Sequence, residues 1–160
     1  KNSIGIEISN PGHEFNYKNF SNKQIISILR LSKLLIKKYS VQSKNILGHS
    51  DIAVDRKKDP GEKFPWKYLA NNKVGIWHKL ANKTLKQSRM QKIDKKDKEC
   101  FLKNLLKIGY SKSNTKNLNN KKYLIFLIKA FQRRFRQDLV NGKIDKECLF
   151  ISENLLKKFN

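Results

Sequence analysis

"SIGIEISNPG", residues 3–12, is the stretch on which the expected fold class turns. Ile4, Ile6 and Ile8 alternate with Ser3, Gly5 and Glu7, so an extended backbone places the isoleucines on one face and Glu7 on a polar one. The pattern predicts a strand of a half-exposed sheet, ended by Pro11 and Gly12, turn residues with no place in a central strand. Further on, Ser21 and Gln24 have the spacing of a capping box, with Phe20 and Ile25 placed as a hydrophobic staple. Ile25, Ile28, Leu29, Ser32, Leu35, Ile36 and Tyr39 then recur at three- and four-residue steps. They predict a helix from Ser21 to about Tyr39 with one buried stripe, leaving Lys33, Lys37 and Lys38 to solvent. "KNILGHS", residues 44–50, reads as a short strand ending at His49. The expected fold class is therefore α/β: a mixed β-sheet flanked by helices.

The second informative stretch is "GHSDIAVDRKKDPGEKFPW", residues 48–66, which gathers a histidine, three aspartates and a run of cations. His49, at a strand end, suits one position of a zinc site, where three protein ligands leave the fourth position open; a structural histidine is the plainer alternative. Asp59 precedes Pro60, which biases it to extended geometry and limits where its carboxylate points. In an extended segment Lys57 and Asp59 project to one side, and Arg56 and Lys58 to the other. The same residues also read as a solvated charge run leading into a "DPG" turn. Glu7 is either a surface carboxylate or a general base turned into a cleft. Asp51 is a rival ligand on spacing, or a cap for "DIAVDR". His13 is a candidate for a substrate groove, and His78 is expected at the surface.

After Trp66 the pattern weakens, and residues 82–96, "NKTLKQSRMQKIDKK", are basic without a consistent face. They read as a linker between residues 1–81 and 97–160. Helical patterns follow at about 97–108, 120–136 and 145–159, a small three-helix domain. Phe131 and Phe135 lie four apart on one face and mean core, while Arg133, Arg134 and Arg136 are expected free for polymer or solvent.

The chain carries 36 Lys+Arg against 13 Asp+Glu, a net charge of +23, which points to an anionic partner or to a skewed codon composition. Its 38% hydrophobic content excludes a disordered chain. Cys100 and Cys148 are too few for a disulfide framework and read as small buried hydrophobes. No apolar run is long enough for a transmembrane segment. The chain opens on Lys1 with strand-like pattern close behind, and is read as an N-terminally truncated piece. A monomer is expected.

Taken together, "SIGIEISNPG", "ILGHSDIAVDRKKDPGEKFPW" and the distance between them resemble the type 2 zinc-dependent N-acetylmuramoyl-L-alanine amidases, relatives of the peptidoglycan recognition proteins. The resemblance covers residues 3 to about 78 and makes residues 1–81 the C-terminal portion of a zinc amidase domain. It implies that His49 and Asp59 bind Zn2+, that Glu7 is the catalytic acid/base, and that Lys57 stabilises the oxyanion. The implied reaction is hydrolysis of the amide joining N-acetylmuramic acid to L-alanine, with peptidoglycan or a muropeptide as substrate, in the bacterial cell envelope: periplasm or outer membrane. The family's other zinc histidine lies on a strand upstream of "SIGIEI". With two ligands of three, this fragment is expected to bind zinc weakly and to hydrolyse little, whereas the full-length parent would do both. The tail, notably "AFQRRFR" and "NGKID", resembles the three-helix peptidoglycan-binding module often joined to such amidases. The alternative is a non-catalytic basic protein binding peptidoglycan or nucleic acid. Nucleic acid is not expected, because neither a basic-aromatic stripe nor a helix-turn-helix signature is present.

Overall fold

The computed structural model describes residues 3–111 and 115–159. The expected α/β class is not what it shows: the described residues form helices and irregular connections, and none of them belongs to a strand or sheet. Residues 3–10 pair with no neighbouring strand, and Ile4 and Ile6 are 54% and 39% exposed. Alternation specifies which face of a strand is apolar, but a sheet also needs a partner whose N–H and C=O groups complete the ladder. No described residue supplies one. The second expected strand is likewise replaced, by a 3₁₀ turn at Ser43–Asn45 and then by helix α2, His49–Ile52, so His49 opens a helix and does not end a strand.

Helix α1, Asn22–Tyr39, forms where the periodicity places it. Gln24 N–H donates to Ser21 Oγ at 3.3 Å, and Ser21 N–H donates to Gln24 Oε1 at 2.9 Å, the two reciprocal bonds of the cap. Ile25 and Ile28 enter a small core with Phe64, Trp66, Leu69 and Val74, against which Phe20, Leu29 and Ile36 also pack. Short helix α3, Trp66–Asn71, supplies Trp66 and Leu69 to this core.

Helices α4, Asn82–Ser88, α5, Lys95–Ile108, α6, Lys121–Phe135, and α7, Lys146–Leu156, complete the chain. Within the segment expected as a linker, α4 buries Leu85 and Ser88 and packs on α7. Asp94 and Asp145 cap α5 and α7, and Asn120 caps α6, each satisfying N–H groups that the first turn leaves unpaired. Of the connection between α5 and α6, residues 112–114 lie outside the described residues. Phe101, Leu105, Leu127, Phe131, Cys148, Ile151 and Leu155 fill the larger core, with Phe101 edge-on to Phe131 at 5.2 Å between ring centroids. Val54 and Ile76, from the N-terminal half, are buried in that same core, and Trp77 packs against both cores.

Two expected surface features are internal. Arg134 and Arg136 are each 2% exposed, because a guanidinium can be buried once carboxylates and carbonyls take up its donors. Arg136 pairs with Asp145 and lies 3.5 Å from Glu147, while Arg89 bridges Asp138 and Glu147. His78 is also buried. Burial, helped by nearby Lys67, pushes its imidazole down to about 4, against backbone hydrogen bonds at Phe135 and Leu80 that act to raise it.

Candidate active site

Residues 48–66 run from α2 through a loop that contributes Val54 to the larger core and Phe64 and Trp66 to the N-terminal one. Gly48 is the N-cap of α2, and a Cβ there would stand 2.8 Å from Pro60 Cδ and 3.2 Å from Trp66 Cζ2. Glycine is required by that close approach. Ser50 N–H donates to the Asp59 carbonyl at 2.9 Å, which draws the two ends of the "HSDIAVDRKKD" loop together. The consequence is a contact across ten residues: His49 Nδ1 lies 3.1 Å from Asp59 Oδ2, with the two side chains 47% and 61% exposed. Both are reachable from solvent.

The far side of the loop is tied to the chain after "SIGIEI". Tyr17 OH donates to the Pro60 carbonyl at 2.6 Å and accepts from Lys63 N–H at 2.9 Å. Burial pushes this hydroxyl up to about 12, with Glu62 adding to the rise against the lowering influence of the Lys63 amide, so it stays a donor at neutral pH. His13 stacks on Tyr17 at 4.4 Å and its Nε2 lies 3.0 Å from Glu62 Oε2. Burial works to raise the Glu62 carboxyl, but the hydrogen bond from His13, its own backbone amide and the nearby charges outweigh it and hold the group low. Gly61, at φ +82°, passes so close beneath this pair that a Cβ would meet Tyr17 OH at 2.5 Å.

A shallow depression of about 280 Å³ lies between residues 11–15 and 56–59. Arg56, Lys57 and Lys58 line it together with the carboxylates Glu14 and Asp59, leaving a modest excess of positive charge, and Phe15, 73% exposed, offers an apolar surface. The structure thus brings His49 to Asp59 and places Lys57 beside Asp59. Glu7 is exposed on the extended N-terminal segment and is not among the lining residues. Asp51 is no rival ligand facing solvent: it is buried, caps Gly48 N–H at 2.7 Å and pairs with Arg134. Among the described residues no group of three or more His, Cys, Asp or Glu side chains converges in the manner of a full metal site. Tyr17, Glu62 and Arg134 escape a reading of the sequence, because their partners lie 43 or more residues away.

Comparison with known proteins gives this loop its class. Residues 1–62 match the family described as N-acetylmuramoyl-L-alanine amidase. The chain is a homologue of these amidases. N-acetylmuramoyl-L-alanine amidase AmiD of Escherichia coli K12 is 32% identical over 162 residues, covering 98% of this chain and 58% of that protein. The 1,6-anhydro-N-acetylmuramyl-L-alanine amidase AmpD of Enterobacter cloacae is 38% identical over 64 residues, 40% of this chain and 32% of its own length. Among solved structures, the complex of E. coli AmiD with its substrate anhydro-N-acetylmuramic acid-L-Ala-D-gamma-Glu-L-Lys superposes with a TM-score of 0.74 at 31% identity. It covers 89% of this chain and 54% of that one. AmpDh3 of Pseudomonas aeruginosa gives 0.72 at 31% identity, covering 90% and 56%. The chain therefore spans somewhat over half the length of the relatives it matches from end to end.

Proposed function

We propose that this protein hydrolyses the amide between N-acetylmuramic acid and the L-alanine of the peptidoglycan stem peptide, using zinc, in the bacterial envelope. One observation carries the reading: the approach of His49 Nδ1 to Asp59 Oδ2 beside a depression with a modest excess of positive charge. Donors about 2.0–2.1 Å from one tetrahedral cation stand roughly 3.3 Å apart, so the 3.1 Å separation fits two positions of a zinc site. The donor types, one imidazole and one carboxylate, also suit zinc. His49 and Asp59 would hold the metal, which supplies Lewis acidity toward the scissile carbonyl and toward water.

The other assignments follow from the family motif and from charge. Lys57, on the rim next to Asp59, donates to the oxygen on which negative charge develops as the amide carbon becomes tetrahedral. The family motif gives Glu7 the transfer of a proton from the attacking water to the departing amine nitrogen; in this structure Glu7 stands outside the depression, so the role requires the extended N-terminal segment to turn toward it. The C–N bond breaks, leaving a lactyl carboxylate on the sugar and a free α-amino group on L-alanine. Arg56 and Lys58 add positive potential for a substrate whose stem peptide carries carboxylates.

The test is release of free stem peptide from purified anhydromuropeptide, followed by mass spectrometry, with chelator and with zinc restored. Zinc-dependent release supports the reading. A protein that carries all three zinc ligands and binds zinc and muropeptide, yet liberates no peptide, refutes it.

A further inference from the structure

The loop bearing His49 is gripped from the opposite end of the sequence. Asp51 Oδ2 accepts from Gly48 N–H at 2.7 Å and from Arg134 Nη1, while Asp51 Oδ1 accepts from Tyr110 OH at 2.6 Å. Arg134 Nη2 donates to the Ile46 carbonyl at 2.7 Å, and its guanidinium lies 4.3 Å over the Trp66 ring. Residues 46, 48 and 51 are therefore all fixed by one guanidinium and the carboxylate it holds, and His49 sits between them. Ser50 N–H extends the grip to the Asp59 backbone. Val54, between His49 and Asp59, is buried in the core of the C-terminal helices, and α2 packs on α6.

Stability alone is a poor account of this arrangement. The Arg134 and Asp51 side chains are 2% and 4% exposed, and withdrawing two charges from water that far costs about as much as their attraction returns. What a buried ion pair with directed partners adds over an apolar plug is orientation; Arg134 Nη1 and Nη2 are both engaged here, while its buried Nε has no partner. We propose that Asp51, Tyr110 and Arg134 are positioning residues for the His49–Asp59 pair, so that α6 and the end of α5 belong to the scaffold of the metal site. This rests on the zinc reading above for its catalytic meaning, though not for its geometry.

Two variants and one control test it in the whole protein. Tyr110→Phe removes one hydroxyl while keeping the ring that packs on Phe131. Arg134→Lys keeps the charge but replaces the two-nitrogen fork that serves Asp51 and Ile46 with a single ammonium. Arg89→Met breaks a pairing with Asp138 and Glu147 that does not touch Asp51. Zinc affinity, measured by competition with a chromophoric chelator, should fall at least about 10-fold in Tyr110→Phe and Arg134→Lys, the low end for partners that orient a metal ligand. Arg89→Met should lower the melting temperature but stay within about twofold of the parent in zinc affinity. Without metal, hydrogen exchange at the Gly48 amide should speed up in the first two variants and stay unchanged in the control. Unchanged zinc affinity in a folded Tyr110→Phe protein, or equal losses in the Arg89→Met control, overturns the proposal. If the parent binds no zinc, the reading of the active site fails, and Gly48 exchange alone decides whether the clamp holds the loop.

Discussion

His78 gives the protein a measurable sensitivity to mild acid. Its ring is buried beside Trp77, and its pKa falls from the ordinary 6.5 to about 4. Above 6.5 the imidazole is neutral in both folded and unfolded chains, and its protonation contributes nothing. As the pH drops below that value the unfolded chain takes up a proton that the folded protein refuses until about 4. Stability is lost across that window and levels off below it. One proton corresponds to 1.36 kcal/mol per decade, so the gap from 6.5 to about 4 amounts to at most about 3 kcal/mol, a large share of the net stability of a domain this size. Urea unfolding at intervals from pH 8 to pH 4, on the parent and on His78→Phe, isolates the effect, since other titrating groups cancel in the difference. The parent should weaken relative to the variant by about 1 kcal/mol per pH unit below 6.5. A difference curve that is flat over this range, or an NMR titration of the His78 ring with a midpoint at 6 or above, would refute the assignment of a buried, neutral imidazole.

Lys57→Ala should lower kcat by about two to three orders of magnitude, the usual worth of one oxyanion donor, while leaving zinc affinity and KM nearly unchanged. A variant within twofold of its parent in turnover removes Lys57 from the chemistry. Cys148 is fully buried and its thiol is pushed up to about 12, chiefly by burial, so at pH 8 a chromogenic disulfide should label Cys100 alone until the protein is denatured. Gly48→Ala forces Pro60 or Trp66 to move and should cost about 1–3 kcal/mol in denaturant unfolding. Its stability would match the parent if the close approach were absent.

Helices α1, α5, α6 and α7 are legible in the sequence because their determinants are local, whereas α2 and α4 lie where a strand and a linker are expected. Ser21 and Gln24 mark the start of α1, and Asp145 marks that of α7, within three residues of the bonds they make. The contact of His49 with Asp59 is foreshadowed for the same reason, since both residues belong to one short loop. The sheet was misread because strand pairing is a property of two segments, and the alternation of Ile4, Ile6 and Ile8 reports on one. Arg134 and His78 were misplaced on the surface for a related reason. Residue type predicted exposure, but the groups that meet them inside the fold, the Asp51 carboxylate for the arginine and the Phe135 backbone for the histidine, stand 83 and 57 positions away. Chain separation of that order leaves no periodic trace.

The inward pairing of Arg89, Arg134 and Arg136 also shapes how the molecule meets its surroundings. Asp51, Asp145 and Glu147 are taken up by buried or half-buried guanidinium contacts, and Asp97 and Asp138 pair with Lys146 and Arg89 nearer the surface, so the water-facing shell is left to flexible ammonium groups with few counterweights. Such a shell draws a polyanion from a distance without specifying how it docks, and the attraction fades within about 8 Å at physiological ionic strength. Any association driven by such a shell is fast and salt-sensitive.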